Sequence, residues 1–143
     1  MAVGRWRKTM RLGVGLVALL QNEEVRRGLR GASAGLREWA DRRREQLARI
    51  DTQRLGPMAR FSDKFGHGSL VRRIDSLATV IPEVTSVHPE LAEDLRAAEA
   101  DLRRAVNISA QMPMTKRWRV ERTIDRRLDE IEKALIDAVL SSR

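Results

Sequence analysis

The sequence predicts an all-α protein, and three observations support this prediction. Apolar residues recur at alternating steps of four and three over long stretches, which is the spacing of one face of an α-helix. Aromatic residues, which strands favour, are only 3% of the 143 residues. Hydrophobic residues make up 42% and charged residues 34%, a balance typical of helical domains with a solvated surface. We therefore predict a C-terminal three-helix bundle with an antiparallel helical hairpin, preceded by a basic N-terminal helical segment.

The boundary between these two parts is predicted at residue 68. Residues 1–68 form the basic helical segment and its linker, and residues 69–143 form the bundle. The first part has 15 Lys and Arg against 7 Asp and Glu, whereas the second has 13 of each. The whole net charge of +8 therefore belongs to the first part, which indicates an anionic partner, either lipid or nucleic acid.

The N-terminal part begins with four cations around a tryptophan. No acidic residue occurs before Glu23, and the apolar run 12–20 is too short for a membrane span, which needs about 20 residues. Because no small-x-small cleavage site follows the run, we do not predict a secreted protein. The pattern predicts a segment that binds an anionic membrane surface or a partner protein. The predicted contact residues are Arg5, Trp6, Arg7, Lys8, Arg11, Leu12 and Leu16.

The apolar run has an alternative interpretation, in which it packs on the rest of the protein. Leu16 and its neighbours would then be core residues rather than lipid contacts. Gly13 and Gly15 favour this alternative, because each weakens an isolated helix by about 1 kcal/mol and the run then needs a docking surface to fold. The sequence leaves both surfaces open.

A second helix is predicted to begin after Asn22, whose side chain can cap it, and to reach about Ile50. Gly31 and Gly35 lie within this stretch and predict a break in the helix. The second basic concentration, residues 42–44, lies beyond the break. Its simplest interpretation is a solvated helix face, stabilised by pairs of opposite charge four residues apart.

The first helix of the bundle is predicted over residues 70–81. A turn is expected before it at residues 66–69, and Pro82 is expected to end it. His88 is predicted to cap the following helix, which has Pro89 at its first position.

Two longer helices are predicted at residues 89–112 and 116–140. Each carries one narrow apolar stripe, and only three residues separate them. Because the connection is so short, the stripes can bury each other only if the helices are antiparallel. The stripes consist of Leu91, Leu95, Ala98, Leu102, Ala105 and Ser109 on the first helix and Ile124, Leu128, Ile131, Leu135 and Ala138 on the second.

A further basic group surrounds Trp118 at the start of the last predicted helix. The positive end of the helix dipole disfavours cations there, so a binding role is one explanation. The other is that Trp118 is a core residue and the cations are solvated. A binding role would make the protein a nucleic-acid binder with sequence-independent phosphate contacts, which is the alternative function. The residues predicted for this alternative are Arg42, Arg43, Arg44, Lys116, Arg117, Arg119 and Arg122.

No motif in the sequence predicts catalysis. The chain has two His, no Cys and no Tyr, and it lacks a nucleophile elbow and a phosphate-binding glycine loop. Asp125, Asp129 and Glu132 lie near one face of the last predicted helix but lack the Glu-x-x-His repeats of a di-iron site. We predict that they pair with cations across the hairpin, and we expect neither a cofactor nor a metal.

These observations together predict a non-enzymatic helical interaction protein. Its basic start binds an anionic membrane surface or a partner protein, and nucleic acid is the alternative partner. A bundle of about 75 residues buries a limited fraction of its surface, so a homo-oligomer is a further prediction. The lack of cysteine fits a reducing cytoplasm, and the expected location is cytoplasmic, peripheral on the inner membrane face.

Overall fold

The computed structural model of the protein describes residues 15–31, 34–53 and 67–140. These residues form six helices, and no strand occurs among them. The prediction of an all-α fold is confirmed. The helices are α1 over residues 15–20, α2 (Glu23–Arg30), α3 (Ala34–Gln53), α4 (His67–Val87), α5 (Pro89–Ser109) and α6 (Met114–Leu140).

Helices α4, α5 and α6 pack against one another as the predicted bundle. His88 alone separates α4 from α5, and residues 110–113 separate α5 from α6, so each helix runs antiparallel to the next. Every residue of the two predicted apolar stripes is buried. The hairpin therefore forms as predicted, with the predicted residues in its core. His88 caps α5 as expected, because its Nδ1 accepts a hydrogen bond from the Leu91 N–H at 3.1 Å.

Helix α3 is a fourth member of the bundle, packed against α6 and α4. The indole Nε1 of Trp39 donates a hydrogen bond to Ser76 Oγ on α4 at 3.0 Å. The buried side chains of α3 belong to the same core cluster as those of α4, α5 and α6. The predicted boundary at residue 68 adjoins residues 54–66, which lie outside the described residues, and the division into two domains stays a prediction. The apolar side chains that α3 buries are Leu36, Trp39, Ala40 and Leu47.

The apolar run before residue 21 also packs on this bundle. Leu16 and Leu20 of α1 are buried. Helix α2 follows and begins as predicted at Asn22, whose Oδ1 accepts a hydrogen bond from the Glu24 N–H at 2.9 Å. Capping satisfies a backbone donor that would otherwise lack a partner, so α1 can turn into α2 within two residues.

Arg26 joins α1 and α2 to the C-terminal part of α6. Its Nε donates to the Leu20 carbonyl at 3.4 Å, and its Nη2 forms an ion pair with Asp137 of α6. Helix α2 accordingly packs against α6 and contacts α4. The N-terminal helices therefore lie at the end of the bundle where α6 ends.

The predicted break between α2 and α3 is confirmed. Helix α2 ends at Arg30, where the Gly31 N–H bonds back to the Gly28 carbonyl, and α3 begins at Ala34. A Cβ at Gly35 would lie 3.0 Å from Oε1 of Glu83 on α4. The missing side chain at Gly35 therefore allows α3 to start close to α4.

Helix α4 is longer than predicted at both ends. The predicted turn at residues 66–69 is wrong from His67 onward, because α4 begins there. Pro82 does not end the helix either, since α4 continues past it for another five residues. Pro82 is exposed, so the backbone hydrogen bond that it cannot donate is missing on the solvent side. Ile81 and Val84 beside it are buried, and their packing keeps the chain helical.

We expect Pro82→Ala to stabilise the fold, because alanine restores a backbone donor in the middle of α4. The gain in unfolding free energy should be at most about 3 kcal/mol, the difference between proline and alanine in a helix interior. Urea unfolding followed by circular dichroism measures it. Pro89→Ala is the control, since Pro89 occupies the first turn of α5, where proline replaces a donor that needs no helical partner. A loss of stability in Pro82→Ala would show that the packing of α4 depends on the proline.

Candidate functional site

The predicted membrane or partner contacts fall at the start of the chain. Arg5, Trp6, Arg7, Lys8, Arg11 and Leu12 lie outside the described residues. Leu16 is the one predicted contact that the structure describes, and its side chain is 3% exposed within the core. Its burial agrees with the alternative interpretation of the apolar run, in which Leu16 supports the fold.

The second predicted basic group, on α3, is divided between solvent and core. Arg42 and Arg44 are exposed, whereas Arg43 is 8% exposed. Arg43 forms an ion pair with Glu132 of α6 through its Nε, and its Nη1 donates to Gln46 Oε1 at 3.0 Å. Arg43 is therefore engaged inside the protein, and only its two neighbours face solvent.

Glu132 lies at the centre of a buried ionic cluster, which we define as Arg43, Arg73, Asp125, Asp129 and Glu132. Glu132 is 1% exposed, and its Oε1 accepts a hydrogen bond from Nε of Arg73 on α4 at 3.2 Å. Nη1 of Arg73 pairs with Asp125, and Nη2 donates to Asp129 Oδ1 at 2.6 Å. The cluster therefore joins α3, α4 and α6.

The three carboxylates of this cluster pair with cations, as the sequence predicted, but the partners differ. Those identified here lie on α3 and α4, whereas the prediction placed them across the α5–α6 hairpin. Arg73 was not among the predicted functional residues. The sequence does contain a signal for Arg73, which is its position next to Ile74. A cation that borders the buried stripe of one helix can reach the carboxylates of the helix that packs against it.

The pKa of Arg73 is raised within this cluster. Burial by itself lowers the pKa, because a desolvated cation is disfavoured, but the charges of Glu132, Asp129 and Asp125 together raise it further than burial lowers it. A raised folded-state pKa means that the charge of Arg73 stabilises the fold below the pKa of an unfolded arginine, as long as the three carboxylates are ionised. On the alkaline side this contribution is lost as the pH rises through the folded value. Arg73 therefore stays cationic at physiological pH, and the cluster is structural.

We expect Glu132→Ala to destabilise the fold by about 3 to 5 kcal/mol, the usual loss when one partner of a buried ion pair is removed. Glu130→Ala on the same helix is the matched control. Glu130 pairs with Arg127 near the surface and should contribute less than about 1 kcal/mol. Urea unfolding of both variants measures the difference, and equal losses would contradict the structural role of Glu132.

The third predicted basic group lies on α6, and we name residues 114–123 the cationic end of α6. Trp118 is 50% exposed there, so the alternative that places it in the core is wrong. The Arg122 guanidinium lies over the Trp118 ring, 5.3 Å from its centre. Nε of Arg117 donates to Glu121 Oε1 at 3.0 Å. Lys116 and Arg119 are exposed.

Met114, which the sequence analysis did not assign to any site, belongs to the same surface. It is 86% exposed and lies four residues before Trp118, hence on the same side of the helix. Within the described residues these two are the exposed large hydrophobic side chains. The four-residue spacing was the signal that could have paired them.

The basic groups of α3 and α6 do not form one surface. Arg43 contacts α6 at Glu132, which is ten residues beyond Arg122, or about 15 Å along the helix. Arg42 and Arg44 therefore lie well away from the cationic end. A nucleic acid would have to bridge two separate patches to use all of the predicted residues.

The described residues were also compared with the requirements of a metal site and of a membrane-spanning helix. No group of three or more His, Asp or Glu is placed to hold a metal ion in the part of the chain that the structure covers. Over the same residues, every helix is too short or too polar to cross a membrane.

Comparison with known proteins identifies one family. The model of a family of unknown function, DUF6474, matches residues 32–142. The matched region contains α3 to α6, with the buried ionic cluster and the cationic end, and it begins after the basic start of the chain. No curated protein and no solved structure matches the chain significantly.

Proposed function

The chain belongs to the family of unknown function DUF6474, and from that premise we propose that it is a non-enzymatic helical interaction protein that binds an anionic membrane surface. The basic N-terminal segment makes the contact, and the helical bundle is the body that it brings to the surface. The proposal includes a cytoplasmic location at the inner membrane face, where anionic lipids are concentrated.

One observation carries this proposal, which is the short distance in sequence between the four N-terminal cations and the buried part of the apolar run. Four cations and Trp6 precede Leu16, and Leu16 and Leu20 are buried in the core. The cations therefore lie within about a dozen residues of a firmly packed anchor. A basic segment with an interfacial tryptophan is attracted to anionic headgroups, and the bundle must follow it.

The burial of Leu16 divides the predicted contact residues by role. A side chain inside the core cannot at the same time enter a lipid interface, so Leu16 serves the fold. The lipid contact then belongs to Trp6, to Leu12 and to the cations Arg5, Arg7, Lys8 and Arg11. The two groups predict different behaviour when they are substituted.

The first test replaces the four cations Arg5, Arg7, Lys8 and Arg11 with glutamine. Each cation near an anionic surface contributes about 1 kcal/mol, so affinity for vesicles of phosphatidylglycerol and phosphatidylcholine should fall by up to about 1,000-fold. Flotation at about 0.15 M salt measures it, and pure phosphatidylcholine vesicles are the lipid control. Unchanged flotation of the quadruple variant would overturn the proposal.

Leu16→Ala is the matched comparison within the same segment. Because Leu16 is buried, this change should lower the unfolding free energy by about 2 to 5 kcal/mol and leave vesicle binding of the folded protein intact. Thermal unfolding and flotation separate the two effects. If Leu16→Ala abolished flotation without destabilising the fold, the assignment of Leu16 to the core would be wrong.

Nucleic acid is the second candidate partner, and an acidic protein surface would be attracted by the same charges. The exposed Trp118 with its neighbouring cations favours nucleic acid, because an aromatic ring beside basic residues is a stacking platform for unpaired bases. Binding of a labelled 20-nucleotide single strand and of its duplex, across a series of salt concentrations, tests this candidate. If the chain binds the strand but no anionic vesicle, nucleic acid becomes the first candidate partner and the membrane surface the second.

A further inference from the structure

The cationic end of α6 lies outside the core of the bundle. No residue from 114 to 123 is buried, and Val120 is the apolar side chain among them that packs partly against the core. From Ile124 onward α6 buries at least one residue in each turn. Six of these first ten residues, which span about 15 Å of helix, are therefore exposed to the surroundings of the protein.

The positive charge of the cationic end restricts which kind of partner can bind to it. Four cations and one acid give residues 114–123 a net charge of +3, and Arg117 and Glu121 pair with each other. The start of a helix carries a further partial positive charge, and α6 has no acidic residue in its first turn. A second copy of the chain that used the same face would bring +3 against +3, so the occupant must be anionic.

The shape of this end favours a lipid surface over a nucleic acid. Met114 and Trp118 are one turn apart on the outside of a single helix, with Arg122 one turn further. They form a ridge and not a groove, and a ridge of apolar side chains with cations beside it can sink into a headgroup layer. Met114, the more exposed of the two, has no role in contacting phosphate or stacking on a base.

We infer that the cationic end of α6 is a second membrane contact, in which Met114 and Trp118 enter the interface and Lys116, Arg119 and Arg122 meet anionic headgroups. This inference rests on the proposed function for the identity of the partner. It adds a site that the basic N-terminal segment does not contain, and it uses described residues alone.

The second contact lies far along α6 from the point where α2 is joined to that helix. The chain enters the bundle through α1 and α2, which Arg26 fastens to Asp137. Asp137 is 19 residues beyond Trp118, or about 28 Å along α6. With the second contact, the start of α6 lies against the surface, whereas the N-terminal segment alone would hold the bundle only through the chain that leads into α1.

The tryptophans of the chain allow a direct test in the full-length protein. Trp6→Phe leaves Trp118 and Trp39, and Trp39 is buried and hydrogen-bonded to Ser76, so it supplies a constant background. With vesicles that contain phosphatidylglycerol and acyl-brominated phosphatidylcholine, the emission of this variant should be quenched and shifted to shorter wavelength. The double variant Trp6→Phe, Trp118→Phe should show neither change. Because Trp6 and Trp118 are themselves proposed lipid contacts, flotation measures the bound fraction of each variant, and the quenching is compared at equal bound fractions.

Charge variants give the second readout. Lys116→Gln with Arg119→Gln should weaken vesicle binding by about 30-fold, or about fivefold for each cation. Arg42→Gln with Arg44→Gln is the matched control, because both residues are exposed on α3 and the loss of charge is the same. The control should bind almost as the unchanged chain does. Equal weakening by both pairs would overturn the inference in favour of a nonspecific effect of net charge.

The outcomes separate this inference from the proposed function. If the full-length protein floats with anionic vesicles but Trp118 is not quenched, the second contact is wrong and the N-terminal contact stands. If the protein does not float at all, the membrane function fails and the inference fails with it. If Lys116→Gln with Arg119→Gln instead reduces binding of a 20-nucleotide single strand, while vesicles leave Trp118 unquenched, the surface is a nucleic-acid site.

Discussion

The arrangement of the helices depends on one constraint, which is that the buried carboxylate of Glu132 is shared by two arginines from other helices. A buried charge without partners is strongly unfavourable, so Arg43 on α3 and Arg73 on α4 must reach it together. They reach it only when both helices lie at the right height along α6 and face it. Apolar contacts alone tolerate small shifts between helices. The ion pairs of this cluster, in contrast, form at only one position of α3 and α4 along α6.

Much of the fold follows from short-range patterns in the sequence. Asn22 and His88 cap their helices as predicted, because a cap depends on backbone groups within three residues. The α5–α6 hairpin forms with its predicted stripes because a helical period and a short connection leave one way to bury them. Pro82 is the exception, since its effect on α4 depends on Ile81 and Val84 packing against other helices.

The candidate sites are less predictable, because a helical pattern does not show which polar residues meet another helix. Three consecutive arginines at 42–44 span more than half a turn, so one of them can face inward, and Arg43 does. Trp118 could be a core residue or a surface residue by its sequence, and it is exposed because α6 buries its apolar stripe only from Ile124 onward. Both cases depend on which side of α3 and α6 the neighbouring helices cover, and that is a property of the tertiary structure.

The ion pair between Arg43 and Glu132 also has a consequence for synthesis, because 89 positions separate the two residues in the chain. A ribosome adds about 5 to 20 residues each second, so α3 is made about 4 to 18 s before Glu132. During that interval α3 lacks its contacts with α6, while α4 can already cover part of α3 and pair with α5. The side of α3 that faces α6 therefore stays uncovered for several seconds, and the early positive charge of the chain reduces self-association until α6 emerges.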